Sequence, residues 1–344
     1  MKKTAIAILN YNGLPHLQNY LPGVIKESSD IADIYVIENA GTDGSLEWIR
    51  EHHPSVKLIE LDQNYGFAGG YNRGLQHINN EYLLLLNSDI KVSEGWLVPL
   101  VDFLDKNSNT AAVQPKILSL REPQYFEYAG AAGGFMDKLA YPFCRGRIFN
   151  HLEKDTGKYN NPTKVFWTSG ACMLIRKDVF DKAGGFAEDF FAHMEEIDLC
   201  WRIQKLGLDL YCLPQSKVYH LGGGTLQKQS PFKTYLNFRN NLRMIIRNYP
   251  GKEWVLIFFL RLLLDAPGAI KISLDSGIKH FWAVIRAHFK VYAEFRNLIK
   301  QRHEINSASK SANMTGVLNA SLILEHYIKG KSAFEELESK INTK

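Results

Sequence analysis

Several features that mark known functional classes are missing from this 344-residue sequence. Its only cysteines are Cys144, Cys172, Cys200 and Cys212. Because no two of them form a CxxC pair, a zinc site is disfavoured. The apolar run after Met1-Lys2-Lys3 is too short for the core of a secretory signal. We therefore expect reduced thiols and a cytoplasmic protein, either free or held peripherally at the inner face of the plasma membrane.

Other absences exclude further classes. The net charge is only +5 and no concentrated basic stripe is present, so nucleic-acid binding is not expected. Neither GxGxxG nor GxxxxGK[ST] occurs, which disfavours an NAD enzyme and a P-loop ATPase. The apolar run 254–264, "WVLIFFLRLLL", is too short to span a bilayer and contains Arg261.

What the first half contains is an alternation of short apolar runs and helix-period segments. The runs lie at 4–9, 31–39, 56–61 and 82–87. Such alternation is typical of a parallel sheet covered by helices on both faces. At 45% hydrophobic and 22% charged, the composition is that of a globular protein with ample material for a core. The sequence therefore predicts an α/β fold.

Each apolar run ends in polar residues, most abruptly in "EYLLLLNSDIKV" (81–92). Asn, Ser and Asp favour turns, which is one explanation. The other is a ligand site, because open α/β sheets bind their ligands at the carboxyl ends of the strands. The polar clusters at 10–13, 38–45, 62–74 and 87–89 would meet along one edge, which favours the ligand site.

The residue types in this crevice suit a phosphorylated ligand and a hard cation. Thr42, Asp43 and Ser45 precede a helix, where they can cap it or help to present free N–H groups to an anion. The glycines of 66–74 permit close approach of the backbone to a ligand. Asp89 suits Mg²⁺ or Mn²⁺ completed by substrate phosphates. His220 precedes three glycines and is either a packed histidine or a residue facing phosphate or metal.

A second acidic cluster lies at the start of a predicted helix near Glu195. Glu195, Glu196 and Asp198 would complement the helix dipole, and Asp198 and Arg202 are spaced for an i,i+4 ion pair. A carboxylate beside the aromatic residues of "FFAHM" could also have a raised pKa and act as a general base. Both interpretations stay open at this point.

Taken together, these segments resemble a family 2 glycosyltransferase with the GT-A fold, and most closely the bacterial rhamnosyltransferase-like enzymes of surface-polysaccharide assembly. The matches cover about residues 4–226 and occur in the order of that family. They are "ILNYNG", "ENAGTDGS", "NYGFAGGYNRG", "LLLLNSD", "SGACMLIRKDVFDKAGGF", "FFAHMEEIDLCWR" and "VYHLGGGT". The resemblance implies a mostly parallel central sheet.

The resemblance also implies roles for individual residues. Asp89 and His220 would hold Mg²⁺ or Mn²⁺, and Glu196 would be the catalytic base, with Glu195 as the second choice. The acceptor would contact Trp167, Gly170, Asp198 and Arg202. The nucleotide sugar would be bound by Asn10, Asn12, Glu38, Asn39, Asp43, Asn64, Gly66, Phe67, Gly70, Asn72, Asn87 and Ser88.

Three positions depart from the pattern of that family. Asn87 replaces an acid of the Asp-X-Asp metal motif, which removes one negative charge. Glu196 is one methylene longer than the usual Asp, and Glu38 stands where Asp is common.

The chemistry that the resemblance implies is an inverting transfer from dTDP-rhamnose or a UDP-sugar to a glycan or lipid-linked acceptor. The alternatives are a non-catalytic nucleotide-sugar-binding module and a sugar-1-phosphate nucleotidyltransferase.

We expect a catalytic domain over 1–230, divided into a nucleotide-binding half (1–118) and an acceptor-binding half (119–230). The sequence predicts a helical region over 231–344. Basic and aromatic residues in 231–300, among them Arg239, Arg243 and Arg247, suit peripheral contact with anionic lipid. Packing on the catalytic domain and a subunit contact are the alternatives. The segment 119–164, which includes Arg145 and Arg147, is too long for a simple connector and suits an acceptor-binding insert.

Overall fold

A computed structural model describes residues 1–127, 130–222, 230–309 and 314–343 of the chain. The strands are β1 (Thr4–Asn10), β2 (Ala32–Glu38), β3 (Lys57–Glu60), β4 (Tyr82–Asn87), β5 (Ile90–Val92), β6 (Thr110–Ser119), β7 (Gly134–Asp137), β8 (Pro142–Cys144), β9 (Arg147–Ile148), β10 (His151–Leu152), β11 (Thr163–Lys164), β12 (Cys172–Arg176), β13 (Asp209–His220), β14 (Val317–Leu318) and β15 (Ile341–Asn342).

The helices interleave with these strands. They are α1 (Leu14–Ser28), α2 (Ser45–His52), α3 (Gly66–Leu75), α4 (Val98–Lys106), α5 (Lys177–Lys182), α6 (Glu195–Lys205), α7 (Pro231–Asn248), α8 (Trp254–Ser276), α9 (Lys279–Ala293), α10 (Phe295–Ser307) and α11 (Glu335–Glu338), with a 3₁₀ turn at Glu188–Phe190 and a π turn at Leu324–Ile328. The four predicted apolar runs correspond to β1–β4.

Nine strands form the central sheet of the described residues, in the order β11-β13-β6-β12-β4-β1-β2-β3, with β5 paired to β13. Strands β3, β2, β1 and β4 run parallel. The apolar run of β4 is buried on both faces, because alternate side chains of residues 83–86 enter two separate hydrophobic clusters. Strand β12 runs antiparallel to both β4 and β6. The predicted α/β fold is confirmed.

The segment 119–164 builds most of a second, smaller sheet. Its order is β10-β9-β8-β7-β14-β15. Strand β14 pairs in parallel with β7, so the chain after α10 returns to the insert. The region predicted as helical therefore also contains two short strands. Arg145 is buried here and donates to Ala132 O and Thr163 Oγ1, so it does not face an acceptor as the sequence suggested.

Helices α7–α10 pack beside the central sheet. Helix α7 contacts α6, α8, α9 and α10, so it links this region to the helix that begins at Glu195. Among the described helices, none is both long enough and apolar enough to cross a membrane.

Candidate active site

The carboxyl ends of β1 and β2 are joined by their polar residues. The parallel register sets Asn10 beside Glu38, and Asn10 Nδ2 donates to Glu38 Oε2 at 2.6 Å. Glu38 Oε1 accepts the amide of Gly41 at 2.9 Å. Burial raises the pKa of Glu38, against the effect of these two hydrogen bonds. The predicted donor residues Asn10 and Glu38 are thus brought together.

The loop after β2 is tied to the loop after β1. Asn12 Oδ1 accepts the amide of Thr42 at 2.7 Å. Asp43 Oδ2 accepts the amide of Leu14, at the start of α1, at 2.7 Å. Asp43 Oδ1 accepts Ser45 Oγ, at the start of α2, at 2.5 Å. Asn12 and Asp43 therefore hold the crevice wall in shape, and capping accounts for Asp43.

The glycine-rich turn is attached to the same edge through Asn39. Its side-chain amide donates to Asn64 Oδ1 at 3.0 Å and to Gly66 O at 3.1 Å. A Cβ on Gly70 would lie 3.1 Å from Asn39 Nδ2 and 2.8 Å from Leu9 Cδ1, so a side chain there would push α3 off the sheet. The predicted residues Asn39, Asn64, Gly66 and Gly70 form one connected group.

Asn72 has a different place from the one predicted. Its Nδ2 donates to Phe186 O at 2.8 Å and its Oδ1 accepts the Phe186 amide at 2.9 Å. These two bonds pin α3 to the segment after α5. They engage both ends of the Asn72 amide, which corrects the expectation that it contacts the nucleotide sugar.

The segment that carries Glu196 meets the glycine-rich turn at Gly170. A Cβ on Gly170 would lie 3.2 Å from the ring of Phe67 and 3.6 Å from Glu196 Cβ. The next residue, Ala171, accepts the amide of Asn87 at 2.9 Å. Phe67, Gly170, Glu196 and Asn87 therefore lie at one place, although 129 positions of sequence, from 67 to 196, separate the outermost two.

Asp89 and His220 are neighbours because β5 pairs with β13. The register sets His220 opposite Ile90, and His220 Nε2 lies 3.1 Å from Asp89 Oδ1. On the other side of the ring, His220 Nδ1 lies 3.2 Å from Glu127 Oε2. Burial acts to lower the pKa of His220, but Asp89 and Glu127 outweigh it and raise that pKa to about 10. The glycines 223 and 224 that follow lie outside the described residues.

The donor set of Asp89 and His220 fits a divalent cation of the Mg²⁺ and Mn²⁺ class. Both side chains are buried at the carboxyl edge. Asp89 offers a carboxylate oxygen, and His220 would offer an imidazole nitrogen once a cation displaces its proton. No cluster of three or more His, Cys, Asp or Glu side chains with metal-binding geometry occurs in the described part of the chain. Ions of this class usually keep water and substrate oxygens beside one or two protein ligands. Asn87 and Ser88, half-buried, precede Asp89.

Glu195 and Glu196 begin α6 with carboxyl groups poor in protein partners. The Oε2 atoms of both are buried without a hydrogen-bond partner among the described residues. Burial raises the pKa of Glu196 to about 7. Burial and the neighbouring charge of Glu196 raise the pKa of Glu195 as well. A carboxyl group with a pKa near neutrality is suited to proton transfer at neutral pH.

The loop before α6 is strained and is held by α7. Phe191, His193 and Met194 have φ values of 65°, 69° and 71°, which L residues rarely adopt. Asn240 Nδ2 donates to the carbonyl oxygens of Phe190, Ala192 and His193 at 2.7–3.0 Å. These bonds fix a backbone shape that the sequence alone disfavours.

Arginines of α7 also bind backbone carbonyl oxygens of this loop. Arg239 donates to Asp189 O and Phe190 O at 3.0 Å each. Arg243 donates to Asp189 O and is paired with Glu294 of α10's N-terminal side. Arg247 is buried as well and lies 3.6 Å from Asp198. The expectation that these three arginines face lipid is wrong, because all three side chains are buried within the chain.

Asp198 and Arg202 form an internal ion pair rather than an open acceptor surface. Arg202 Nε donates to Asp198 Oδ2 at 2.9 Å, and Asn248 donates to Asp198 Oδ1 at 2.6 Å. Arg202 also donates to Ala183 O and Gly185 O. Asp198 is completely buried, so its packing partners account for it. Trp167, also predicted for the acceptor, is buried and donates through Nε1 to Phe135 O at 3.0 Å.

Several residues of the site carried no signal in the sequence. Glu127 belongs to a segment without a recognisable motif, yet it meets His220 from 93 positions away, at 127 against 220. Asn240 and Arg239 lie in a basic helix whose charges suggested a lipid surface. Phe191 follows another phenylalanine, and nothing in that pair indicates that its carbonyl oxygen reaches α3.

Comparison with known proteins agrees with this geometry. The model of the family described as "Glycosyl transferase family 2" matches residues 5–184, more than half of the chain. The chain belongs to this family. The predicted family membership is confirmed, and with it the prediction that the protein is an enzyme that transfers a sugar.

Two curated relatives lie within the same class. One is the low-salt glycan biosynthesis hexosyltransferase Agl10 of Haloferax volcanii, 24% identical over 69% of this chain and 73% of its own length. The other is an N-acetylglucosaminyl-diphospho-decaprenol L-rhamnosyltransferase of Mycobacterium tuberculosis, 24% identical over 62% of this chain and 75% of its own. The family 2 chain therefore has hexosyl- and rhamnosyltransferase relatives.

Two solved structures share the fold. GalNAc-T7 with UDP, GalNAc and Mn²⁺ aligns with a TM-score of 0.59 at 18% identity, covering 86% of this chain and 58% of that chain. The mannosyltransferase PcManGT of Pyrobaculum calidifontis, with GDP-Man and Mn²⁺, aligns with a TM-score of 0.53 at 14% identity, covering 90% and 86%. The GT-A fold predicted for this family 2 glycosyltransferase is confirmed.

Proposed function

We propose that this glycosyltransferase moves a sugar from a nucleoside-diphosphate sugar, dTDP-rhamnose or a UDP-sugar, to a hydroxyl of a glycan or lipid-linked acceptor in surface-polysaccharide synthesis. The transfer inverts the configuration at the anomeric carbon. The observation that carries the proposal is Glu196, whose Cβ lies beside Gly170 and whose Oε2 is buried without a hydrogen-bond partner among the described residues.

Glu196 is the general base in this proposal. Its carboxylate takes the proton of the acceptor hydroxyl while that oxygen bonds to the anomeric carbon. The bond from this carbon to the diphosphate oxygen breaks, and the nucleoside diphosphate leaves with the electron pair. A pKa of about 7 leaves a substantial ionised fraction at neutral pH and a usable proton affinity. Glu195, one residue earlier, is the second candidate.

The donor lies along the carboxyl edge in this proposal. Glu38, Asn10 and Asn39 line the nucleotide end, and the turn from Asn64 to Gly70 covers it. Asp89 and His220 would hold Mg²⁺ or Mn²⁺, which when bound neutralises diphosphate charge and favours departure of the leaving group. The structures of GalNAc-T7 and PcManGT both contain Mn²⁺, which supports a divalent ion of this class.

The name of one curated relative bears on the class of acceptor. The Mycobacterium tuberculosis relative is named for a sugar carried on diphospho-decaprenol, a lipid. That name supports a lipid-linked acceptor here, together with peripheral contact of the chain with the inner face of the plasma membrane.

Release of nucleoside diphosphate from UDP-, dTDP- and GDP-sugars in the presence of Mn²⁺ tests the reaction. We expect slow hydrolysis of one donor class and faster release once an acceptor is added. The matched variant is Glu196→Gln, which should bind that donor normally and release nothing. Donor binding without release from the wild-type chain, across donors and acceptors, would favour the binding-module alternative instead.

A further inference from the structure

Helix α8 has an outer side that no part of the described chain covers. Its large apolar residues there are 55–82% exposed and recur at intervals of three, four and seven positions, which places them on one side of the helix. They are Leu256, Phe259, Leu263, Ile270 and Leu274. The inner side of α8, by contrast, packs on the insert, where Arg261 donates to Leu139 O and Ala140 O.

Helix α9 extends this surface. Its row consists of residues 49–69% exposed, spaced four, seven and three positions apart and starting just before the helix. They are Ile278, Trp282, Phe289 and Tyr292. The ring of Tyr292 contacts Phe258 of α8 at 6.3 Å between centroids, and Phe258 contacts Phe259 at 5.8 Å. The two helices that carry the rows therefore lie side by side.

We call the surface of Leu256, Phe259, Leu263, Ile278, Trp282 and Phe289 the α8–α9 face. The π turn carries further exposed apolar side chains, Leu324, Tyr327 and Ile328. Two neighbouring helices thus present rows of exposed apolar side chains, and such a patch on a protein surface marks an interaction site.

The charges beside the apolar rows decide between a bilayer and a second copy of the chain. Lys279 and Arg286 are exposed along α9, and 279–293 contains no acidic residue. Lys290 is exposed as well, but it is paired with Glu294 at 2.8 Å. A two-fold dimer through α9 would bring these cations close to their own copies, with no acid of that helix to pair with them. Anionic lipid headgroups complement them. Trp282 and Tyr292 also suit the boundary between headgroups and acyl chains.

We infer that the α8–α9 face docks on an anionic lipid bilayer, with both helices lying in the plane of the interface. Docking there has a consequence for the site. Helix α9 packs on α7, and Asn240 of α7 binds the loop before Glu196. The acceptor side of the enzyme is thus linked through one helix to the membrane surface. The inference rests on the proposed function only for the idea that the acceptor is carried on a lipid.

Flotation of the full chain with two kinds of vesicle tests the inference. One kind is phosphatidylcholine alone, and the other contains phosphatidylglycerol in addition. We expect binding to the anionic vesicles, reduced by about tenfold or more in Leu263→Glu and in the pair Lys279→Glu and Arg286→Glu. Val98→Glu is the matched control, because Val98 is an exposed apolar residue of α4 and should leave binding unchanged.

Sedimentation velocity and thermal melting accompany the flotation. Leu263→Glu should melt like the wild type, since its side chain is in solvent. Failure of the wild type to bind either vesicle would overturn the inference, as would a stable dimer that Leu263→Glu dissociates. Hydrolysis of the donor in solution should be equal in wild type and Leu263→Glu. Vesicle binding by a chain that releases no nucleoside diphosphate from any donor would contradict the proposed function and leave the docking face intact.

Discussion

The carbonyl oxygen of Phe191 accepts the backbone amide of Phe67 at 2.8 Å, and that of Ala68 at 3.3 Å. Phe191 belongs to the loop before Glu196, while Phe67 is the second residue of α3, the helix of the glycine-rich turn. One backbone oxygen thus joins the donor side of the site to the side that carries the proposed base. We expect the two loops to move together when substrate binds.

Gly66→Ala should lower both the stability of the fold and the affinity for the donor. The loss should exceed the cost of the backbone strain at this position. Gly66 has a φ of 71°, and a Cβ there would lie 2.6 Å from the ring of Phe191. The strain costs about 1–2 kcal/mol, and the clash additionally displaces the loop. Gly207→Ala is the control, since its φ is 83° but its Cβ would enter open space. Equal stability and equal donor affinity of the two variants, by calorimetry, would contradict the coupling.

Asn240→Ala should lower kcat by between about 10-fold and 100-fold, because a displaced loop misplaces Glu196. It removes hydrogen bonds to three loop carbonyl oxygens, which costs about 1–3 kcal/mol of folding stability. Asn237→Ala on the same helix is the control, because Asn237 is half-buried and does not bind this loop. If both variants lose kcat equally, the loop contacts of Asn240 are not the cause.

Glu196→Gln should lower kcat by about 10²–10⁴-fold while leaving donor affinity nearly unchanged. The amide preserves the size of the side chain but cannot accept a proton. Glu195→Gln is the companion variant, since its carboxyl group is also buried and unpartnered. Single-turnover transfer measured with both variants identifies the base, and full activity of Glu196→Gln would assign that role elsewhere.

The pH dependence should follow the raised pKa of Glu196. A base must be ionised, so the rate should rise with pH through about 7. Stability should change in the opposite direction. A carboxyl group whose folded-state pKa lies above its ordinary value contributes stability below that ordinary value, and this stability is lost as pH rises through about 7.

Glu196→Gln should accordingly stabilise the fold at pH 8 by on the order of 1–3 kcal/mol more than at pH 5. Melting temperatures of wild type and variant across this range provide the measurement. A constant difference between the two proteins at all pH values would show that the carboxyl group titrates normally.

Asp89→Ala should weaken Mn²⁺ binding and donor binding together. The substitution removes the proposed carboxylate ligand. Of the two acids beside His220, Asp89 and Glu127, only Glu127 then remains. Asp62→Ala is the control, because Asp62 is an exposed acid that binds Tyr65 and not His220. Electron paramagnetic resonance of free Mn²⁺ gives the ion affinity directly. Unchanged Mn²⁺ affinity in Asp89→Ala would remove Asp89 from the metal site.

Much of the donor edge could be predicted because it follows from local patterns. Apolar runs that end in Asn10, Glu38 and Asn87 predict parallel strands, and parallel strands place their ends along one edge. The resemblance to family 2 assigned Asp89 and His220 to one metal site, and the structure sets the two side chains 3.1 Å apart. The i,i+4 spacing of Asp198 and Arg202 indicated an ion pair, and that ion pair is what the structure contains.

The contacts of buried charges could not be predicted in this way. The sequence of α7 looks like a lipid-facing basic helix, but Arg239 and Arg243 turn inward and bind carbonyl oxygens of the loop before α6. A basic amphipathic pattern does not say whether the protein or a membrane supplies the partner. The exposed rows of α8 and α9 show the reverse case, in which apolar residues that could have formed a core remain at the surface.

The sequence by itself determined the α/β alternation, the polar edge of the sheet and the residue types available for a cation and a base. These depend on periodicity and on the chemistry of neighbours along the chain. Only the tertiary structure decided that Glu127 reaches His220, that Asn240 holds the loop of Phe191, and which helices face outward. Each of these contacts joins residues dozens of positions apart, and their distance is set by how whole elements pack rather than by any local preference.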